Sequence, residues 1–384
     1  MTSTLVKVPF VDLSIQHQPI QTKIEQAIDQ VIKQGDFILG EALAEFEVAF
    51  AAACGVSYGV GVASGTDAIA LGLQACGIGK GDEVLVPANT FIATIIGVIY
   101  AGATPVLVDC DYETALIDFE SAAKAITPQT KAILPVHLYG QMVSPSQLKD
   151  FADTYNLIIF EDAAQAHLAE REGIRAGAIG SAAGFSFYPS KNLGAFGSGG
   201  MVVTNNQAIA DKVRSLRNYG APRKYFHTEL GTNSRLDTLQ AAILNIKLPS
   251  LSEWNLARNK AAQVYDLALQ PLETQEVFPI KNYSQFGHVY HLYVIRLNQK
   301  LAQHREKIQQ QLQELGIQTG IHYPIPCHLQ PAYRYLGYQL GDLPQAEALC
   351  EQILSLPMYP GLAQEQIALV NEQLAKVIYS CNKS

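Results

Sequence analysis

Short apolar runs alternate with longer amphipathic runs between about residues 56 and 220. The apolar runs have the length and the Val, Ile and Leu content of buried strands, and segments with helical periodicity separate them. They are YGVGVAS (58–64), DEVLVPA (82–88), TPVLVD (104–109), KAILPVHLYG (131–140) and NLIIFEDAA (156–164). This alternation predicts an α/β fold in which helices cover both faces of a mainly parallel sheet.

The pattern changes in the last third of the chain. The later runs are helical at 234–248, 251–270 and 305–316 and strand-like at 288–298. Pro249 separates the first two helices, because a proline cannot continue the helix before it. We therefore expect a large domain over 1–250, which includes the N-terminal segment, and a smaller α+β domain over 251–384.

Composition indicates a globular protein without a strongly basic surface. Of its 384 residues, 48% are hydrophobic, which is enough to build substantial buried cores. The 27 Lys and Arg and the 35 Asp and Glu give a net charge of −8, which argues against a nucleic-acid or acidic-membrane partner. An anionic ligand must therefore be held by a few local groups.

The sequence favours a cytoplasmic location without a membrane anchor. The N-terminal run MTSTLVKVPFVDL lacks the apolar stretch and cleavage site of a secretory signal. The most apolar run, 91–108, contains Gly97, Gly102 and Pro105, and its pattern indicates a helix followed by a strand. The six cysteines lack the close spacing of a zinc or redox motif, so we expect reduced thiols and no metal site.

Small, polar and charged side chains follow the predicted strands. Open α/β sheets bind ligands in the crevice beyond the carboxyl ends of their strands. That rule selects Ser64-Gly65-Thr66, Asn89-Thr90-Phe91, Asp162 to Gln165, and Ser186 to Lys191. In "SGTDAI", backbone N–H groups at the start of a helix suit a phosphate, and a simple N-cap by Ser64 or Thr66 is the alternative.

Asp162 and Lys191 are the charged members of this set. Asp162 follows an apolar strand in "IIFEDAAQAH", and its alternative role is a helix N-cap. Lys191 lies in "FSFYPSKNLGAFGSGG"; an apolar pocket would lower its pKa and make it nucleophilic, and the alternative is a solvated lysine. A phosphate cradle, an aromatic ring, a carboxylate and a lysine at one sheet edge are together the parts that hold pyridoxal 5′-phosphate.

The same segments resemble motifs of the DegT/DnrJ/EryC1/StrS sugar aminotransferases, a group of the fold type I (aspartate aminotransferase-like) enzymes that use pyridoxal phosphate. The likeness covers nearly the whole chain, and the order and spacing of the motifs make it specific. The matching runs are "FVDLSIQHQPI", "GDFILG", "GVASGTDAIALGL", "GDEVLVPANTFIAT", "EDAAQAH", "FSFYPSKNLGAFGSGG", "GTNSRLDTLQAAIL", "HYPIPCHLQPAY" and "LSLPMYP". The resemblance implies a transaminase with a large sheet domain and a smaller C-terminal domain.

This resemblance implies a role for each matching residue around the cofactor ring. Lys191 matches the lysine that forms a Schiff base with the cofactor and then shuttles protons. Asp162 matches the partner of the pyridine nitrogen, and Gln165 matches the side chain near the ring hydroxyl. Phe91 stands where the family stacks an aromatic side chain on the ring.

The resemblance also implies how the cofactor phosphate is held. Gly65, Thr66 and Ser186 match its contacts within one subunit. Asn233 in "GTNSRLD" matches an asparagine that reaches the phosphate from the neighbouring subunit. We therefore expect a homodimer with shared active sites.

The run "HYPIPCHLQPAY" resembles a pattern typical of members that aminate C-3 of a nucleotide-linked keto sugar. It implies a dTDP-3-oxo-6-deoxyhexose as acceptor, with a UDP-linked 3-oxo sugar as the alternative and L-glutamate as donor. We expect Tyr188, Tyr323 and His328 near the sugar or its phosphates; packing in the proline-rich loop is the alternative for His328. Four basic residues are candidates for binding the donor carboxylate or the diphosphate, with a solvated surface as the alternative: Arg217, Arg223, Lys224 and Arg235.

Two positions depart from the usual pattern of the family. Ser198 stands where an acidic residue is common, and we expect it to alter the loop after Lys191. Leu168 stands where a glycine is common, and we expect it to narrow the space near the ring. Relatives with histidine in place of the lysine are dehydratases, so Lys191 favours transamination over dehydration and over a non-catalytic regulator of the same fold.

Overall fold

Helices and strands alternate through the first two hundred residues of the computed structural model, which describes residues 7–383. The strands are β1 (Tyr58–Val62), β2 (Glu83–Pro87), β3 (Thr104–Val108), β4 (Thr130–Ile133), β5 (Ile158–Asp162), β6 (Glu170–Arg171), β7 (Ile174–Arg175), β8 (Ala182–Ser186), β9 (Gly200–Thr204), β10 (Phe278–Pro279), β11 (Tyr293–Arg296) and β12 (Ile353–Leu356). The helices are α1 (Ser14–His17), α2 (Gln21–Gln34), α3 (Glu41–Cys54), α4 (Gly65–Ala75), α5 (Ile92–Tyr100), α6 (Phe119–Lys124), α7 (Pro145–Tyr155), α8 (Gln207–Leu216), α9 (Thr238–Lys247), α10 (Leu251–Leu269), α11 (Gln299–Ala302), α12 (Arg305–Glu314), α13 (Pro344–Gln352) and α14 (Gln364–Lys383).

A seven-stranded mixed sheet forms the centre of the molecule, in the order β1-β9-β8-β5-β4-β2-β3. The neighbours from β8 to β3 are parallel, whereas β9 runs antiparallel to both β1 and β8. The strands are buried because helices cover the sheet, as expected for runs rich in Val, Ile and Leu. The prediction of an α/β fold with a mainly parallel sheet is confirmed.

The described residues form two hydrophobic cores, and the first also includes side chains beyond residue 250, such as Leu292 and Leu349. The first packs the seven strands against their helices, through side chains such as Phe46, Phe185 and Leu244. The second packs a three-stranded sheet, β10-β11-β12, against α10, α12 and α14. Val8 belongs to this second core and pairs with Ile317, so the N-terminal segment contacts the C-terminal unit. The division into domains at residue 250 stays a prediction.

Two predicted strands are shorter in the structure than in the sequence pattern. The run at 131–140 is a regular strand only to Ile133, because Pro135 has no N–H to donate. Beyond it the pairing continues as a single bridge between Val136 and Asp162, and the chain turns at Gly140 with a φ of 98°. The run at 288–298 is a strand only over Tyr293–Arg296. The apolar run at 91–108 forms α5 and β3, and no helix in the described part of the chain is long and apolar enough to cross a membrane.

Candidate active site

The carboxyl ends of β1, β2, β5 and β8 surround a cavity of about 460 Å³. Its volume lies within the range of about 300–1,000 Å³ that is usual for small-molecule sites. Nine of the residues predicted from the sequence line it: Gly65, Thr66, Phe91, Asp162, Gln165, Ser186, Tyr188, Lys191 and Tyr323. The structure therefore brings most of the predicted site residues together.

Asp162 is the last residue of β5, and it is only 5% exposed. Its Oδ2 accepts a hydrogen bond from Thr94 Oγ1 at 2.7 Å, and its Oδ1 accepts one from Ala164 N at 3.1 Å. Because the Thr94 proton is used in this way, Thr94 Oγ1 accepts in turn from Thr90 Oγ1 at 2.8 Å. Burial raises the pKa of Asp162, while these donors and the charge of Lys191 act to lower it.

Lys191 lies in the loop that connects β8 to β9. Its backbone N–H donates to Tyr188 O at 2.9 Å, and Ala195 N donates to Phe187 O at 2.8 Å, so the loop folds back on itself around the lysine. Burial lowers the pKa of Lys191 from 10.5 to about 8, and the negative charge of Asp162 acts in the opposite direction. Lys191 lines the cavity and is only partly exposed, so its surroundings differ from those of a freely solvated surface lysine.

The N-terminus of α4 forms one wall of the cavity. Ser64 is its N-cap, since Ser64 Oγ accepts from Asp67 N at 3.1 Å, and Gly65 and Thr66 line the cavity just beyond it. A Cβ on Gly65 would lie 2.7 Å from the Cβ of Ser186, so this position needs a glycine. The capping and the ligand-binding interpretations of "SGTDAI" are thus compatible, because capping leaves the backbone of the first turn beside the cavity.

Aromatic and amide side chains form another part of the lining. The rings of Phe91 and Tyr323 lie 5.1 Å apart between centroids, tilted by 35°. Gln165 links this wall to the sheet, because its Nε2 donates to Tyr323 Oη at 3.2 Å and its Oε1 accepts from Tyr139 N at 2.6 Å. The ring of Phe91 is 50% exposed and therefore free to cover a ligand.

Three predicted residues occupy other environments. Tyr188 lines the cavity but is 60% exposed, which places it at the entrance. Asn233 is exposed and is not among the residues that line the cavity of its own chain. His328 is buried, and its Nε2 bonds Glu347 Oε1 at 2.9 Å, away from the cavity lining.

The positions that depart from the family pattern also differ in their surroundings. Ser198 lines the cavity in the loop after Lys191. Leu168 does not line it; this side chain packs against the large core, and its φ of 60° is a left-handed conformation that a glycine adopts more easily. Leu168 therefore does not narrow the cavity; its effect in this structure is a left-handed backbone conformation that is strained for a leucine.

The four basic candidates have different surroundings. Arg217 is buried and pairs with Glu47, so the solvated alternative is wrong for this residue. Arg235 donates to Asn218 Oδ1 at 2.9 Å and lies over the ring of Tyr219. Arg223 and Lys224 are exposed. None of the four is among the residues that line the cavity.

Several residues of the cavity were not predicted. Thr94 has a signal in the sequence, because "NTFIAT" places it in the first turn of α5, four residues after Thr90, whose hydroxyl it contacts. His291 and His322 reach the cavity from the C-terminal part of the chain; no local pattern marks His291, whereas His322 begins the run "HYPIPCHLQPAY". The position of His291 depends on tertiary packing alone.

The residues present fit pyridoxal phosphate. A buried carboxylate, whose burial raises its pKa, can be stabilised by a cationic ring nitrogen. A lysine with a lowered pKa shares the cavity, and the bare backbone at Gly65 leaves room for a phosphate at a helix N-terminus. This combination on an α/β sheet defines the class of pyridoxal-phosphate-dependent enzymes.

Comparison of the sequence narrows this class to one family. Residues 18–375 match the profile of the DegT/DnrJ/EryC1/StrS aminotransferase family, and the chain belongs to that family. The predicted family and the predicted aminotransferase activity are confirmed.

Three curated relatives cover almost the whole chain at similar identity. The dTDP-3-amino-3,4,6-trideoxy-alpha-D-glucose transaminase of Streptomyces venezuelae is 43% identical over 94% of this chain and 93% of its own. A UDP-N-acetyl-3-dehydro-alpha-D-glucosamine 3-aminotransferase of Acidithiobacillus ferrooxidans is 42% identical over 97% and 98%. A "Pleiotropic regulatory protein" of Geobacillus stearothermophilus is 43% identical over 97% and 98%. Overall identity therefore does not separate these three kinds of relative.

Two solved structures share the fold. DesV of S. venezuelae, in complex with a ketimine intermediate, has a TM-score of 0.93 and 43% identity over 98% of this chain and 99% of that one. NtdA of Bacillus subtilis, with the bound cofactor PMP, has a TM-score of 0.89 and 33% identity over 98% and 86%. The predicted fold type and the predicted cofactor are confirmed.

Proposed function

We propose that this aminotransferase moves an amino group from L-glutamate to the 3-keto group of a nucleotide-linked hexose, and that the acceptor is a dTDP-3-oxo-6-deoxyhexose. The observation that carries the proposal is the single cavity lined by Lys191, Asp162 and the start of α4. The relative from S. venezuelae, named for a dTDP sugar, supports the nucleotide. A UDP-linked 3-oxo sugar is the second candidate, because a UDP-sugar aminotransferase is nearly as similar to this chain.

Pyridoxal phosphate would be held by residues at both ends of the cavity. We propose that Gly65, Thr66 and Ser186 contact its phosphate, where the helix dipole favours an anion. Asp162 would face the ring nitrogen, and Phe91 would cover one face of the ring. The cofactor, when bound, supplies an aldehyde that bonds to amines and a ring that accepts electrons.

Lys191 would move the protons of the reaction. Its Nζ removes the proton from the α-carbon of the amino donor and returns a proton to the sugar carbon that receives nitrogen. Such a base must be neutral, and burial brings the pKa of Lys191 down to about 8, close to physiological pH. The charge of Asp162 keeps that pKa from falling further, so the amine can both accept and release a proton.

The sugar would enter beside Tyr188, which is exposed at the cavity entrance, and lie against Tyr323. For His328 we propose an indirect role, because its bond to Glu347 anchors the loop that carries Tyr323. That loop is also anchored at Cys327, whose N–H donates to Ala88 O at 2.8 Å. The loop would thereby set the width of the sugar site.

A regulatory role without catalysis is the remaining alternative, since one similar protein has a regulatory name. The intact lysine and carboxylate count against it, because a purely regulatory protein would gain nothing from a buried lysine whose pKa is lowered to about 8. A dehydratase is disfavoured because position 191 is a lysine.

Absorbance between about 300 and 500 nm tests the proposal, because the lysine-bound and aminated forms of the cofactor absorb at different wavelengths. We expect glutamate to convert one form into the other in the parent and not in Lys191→Ala. Lys247→Ala is the matched control, since burial also lowers the pKa of Lys247 to about 8 but Lys247 does not line the cavity. Subsequent turnover with 3-oxo dTDP- and UDP-sugars identifies the acceptor; a protein that binds no cofactor when supplied with it would overturn the proposal.

A further inference from the structure

A histidine from the C-terminal part of the chain lies beside the amine of Lys191. His291, two residues before β11, is 8% exposed and lines the cavity. Its Nε2 is 3.5 Å from Lys191 Nζ, at the outer limit of a hydrogen bond. Which of the two atoms donates depends on which ring nitrogen of His291 carries the proton.

The side chain of Asn192 settles that question. Its Nδ2 donates to Val289 O at 2.9 Å and to Asn255 Oδ1 at 2.8 Å, which uses both amide protons. Asn192 Oδ1 is therefore the atom that faces His291 Nδ1, at 3.3 Å, and it can only accept. His291 must carry its proton on Nδ1.

The orientations of both amides are fixed by backbone carbonyls, which accept and never donate. Val289 O requires the nitrogen of Asn192 to point towards it. His167 O likewise requires the nitrogen of Asn255, at 2.9 Å, so that Asn255 Oδ1 remains free to accept from Asn192. Neither amide can be turned over without placing two acceptors against each other.

The imidazole of His291 is also neutral. Burial lowers the pKa of His291 well below 6.5, and the nearby charge of Lys191 lowers it further. The other titratable groups around it, Arg258, His322 and His167, act in the same direction. A neutral ring with its proton on Nδ1 presents the lone pair of Nε2 to Lys191.

We propose that His291 is a positioning residue for the amine of Lys191. Its Nε2 accepts a hydrogen bond from Nζ whenever the amine is free, and this contact turns the lone pair of the amine away from His291 and into the cavity. The inference rests on the proposed role of Lys191 as the base. Asn192, which is next to Lys191 in the chain, sets the tautomer that makes the contact possible.

Competitive acetylation of the lysines in the full-length protein without cofactor, across a pH series, tests this contact. Peptide mass spectrometry then gives a titration curve for each lysine. In His291→Phe, Lys191 loses an acceptor that favours its charged form, so we expect its pKa to fall by about one unit. In His291→Gln, an amide oxygen replaces Nε2 as acceptor, and we expect the pKa to stay close to that of the parent.

Lys247 provides an internal control within the same experiment. It is buried and its pKa is lowered by burial to about 8, yet it bonds Gly194 O and His17 rather than His291. An unchanged curve for Lys247 shows that a variant has kept its fold. Equal Lys191 curves in His291→Phe and the parent, or equal shifts in His291→Phe and His291→Gln, would overturn the proposal.

The assay needs neither cofactor nor substrate, so its outcome is separate from that of the proposed function. With cofactor bound, we expect kcat of His291→Phe to fall about tenfold or more with little change in KM for glutamate. The variant misplaces the amine of Lys191 but leaves the binding of glutamate unchanged. A parent that holds no cofactor would overturn the proposed function, whatever the acetylation curves show.

Discussion

Two residues of opposite charge, Lys191 and Asp162, lie in the cavity at the carboxyl edge of the sheet. Burial lowers the pKa of Lys191 and raises the pKa of Asp162, so in each group burial disfavours the charged form. Each charge partly offsets this cost for the other. In the protein without cofactor, the buried negative charge of Asp162 therefore costs free energy, and the cationic ring nitrogen of the bound cofactor would offset this cost.

We expect Asp162→Asn to stabilise the cofactor-free protein at pH 7 while abolishing transamination. The gain should be on the order of 0.5–2 kcal/mol in the free energy of unfolding, the usual range when a functional constraint is removed. The amide can still accept from Ala164 N and donate to Thr94 Oγ1. Urea unfolding of the two proteins measures the difference, with the exposed Asp150→Asn as control.

The sign of the pH dependence follows from the raised pKa of Asp162. The cost of the buried charge is present above that pKa, and it disappears as the pH falls towards and below 3.8, where the carboxyl is protonated in both folded and unfolded chains. The advantage of Asp162→Asn should therefore shrink as the pH is lowered. Adding pyridoxal phosphate at pH 7 should reverse the order of stability; an advantage that persists with cofactor would contradict this account.

Gly65→Ala is expected to weaken cofactor binding at least about tenfold, or roughly 1.4 kcal/mol. The new Cβ would lie 2.7 Å from the Cβ of Ser186, so one of the two backbone segments beside the proposed phosphate site must move. Gly79→Ala is the matched control, since its nearest neighbour outside the adjacent residues would be 3.7 Å away. Spectroscopic titration with pyridoxal phosphate measures both affinities; equal affinities would show that Gly65 is dispensable.

At the scale of elements, the site residues that the sequence pattern could place are those that follow directly after a predicted strand. Asp162 follows β5, and Gly65 follows β1, because an apolar run and the residue after it are adjacent in sequence and in space. His291 could not be placed from local pattern, since the chain before β11 brings it to the cavity through long-range packing. Tyr323 was placed only because the run "HYPIPCHLQPAY" resembles a family motif. His328 shows the opposite error, because a residue in a recognisable motif points to Glu347 instead of the cavity.

The loop that carries Tyr323 depends on Glu347 in α13. Its carboxylate bonds His328 Nε2 and accepts from the backbone amides of Gly341 and Leu343. We expect Glu347→Ala to reduce the free energy of unfolding by about 1.5–3 kcal/mol, the typical contribution of hydrogen bonds to a charged group. Glu351→Ala, one turn later in α13 and exposed, is the control in urea unfolding.

The effect of Glu347 should depend on pH. Burial acts to raise its pKa, but the hydrogen bonds from His328 and the two amides outweigh it and lower the pKa. A carboxyl with a lowered pKa stabilises the fold above its unfolded value of 4.5, and this contribution is lost as the pH falls through the folded value. The difference between the parent and Glu347→Ala should therefore be full at pH 7 and shrink below 4.5; a constant difference would point to packing.

At the scale of the whole molecule, large apolar side chains are exposed in two segments of the chain. Phe37, Ile38 and Leu39 precede α3 and are 41–50% exposed, and Ile38 pairs with Asp237 at the start of α9. Tyr225 and Leu230 are 85% and 97% exposed in the segment that leads to Asn233. Contiguous exposed apolar patches mark interaction surfaces, and the three consecutive exposed side chains of Phe37, Ile38 and Leu39 therefore support the predicted homodimer.

A shared active site predicts complementation between two inactive variants. Lys191→Ala lacks the proposed base, and Asn233→Asp places a negative charge where the neighbouring subunit's phosphate is proposed to lie. In a mixed dimer, one site combines both defects, and the other combines the intact Lys191 with the intact Asn233. We expect co-refolded mixtures to recover about a quarter of parental activity, because about half of the dimers are mixed and each has one intact site.

The same mixture distinguishes a shared site from a site built within one chain. If Asn233 acted on the cavity of its own chain, each subunit of a mixed dimer would retain its own defect, and activity would stay at the level of the separate variants. Mixing Lys191→Ala with Asp162→Asn is the control, since both residues line the cavity of the same chain. Each chain in this mixed dimer keeps one defect in its own cavity, so no complete site forms. Recovery in the first mixture alone would therefore require Asn233 to cross the interface, because only exchange of that side chain between subunits can rebuild a complete site.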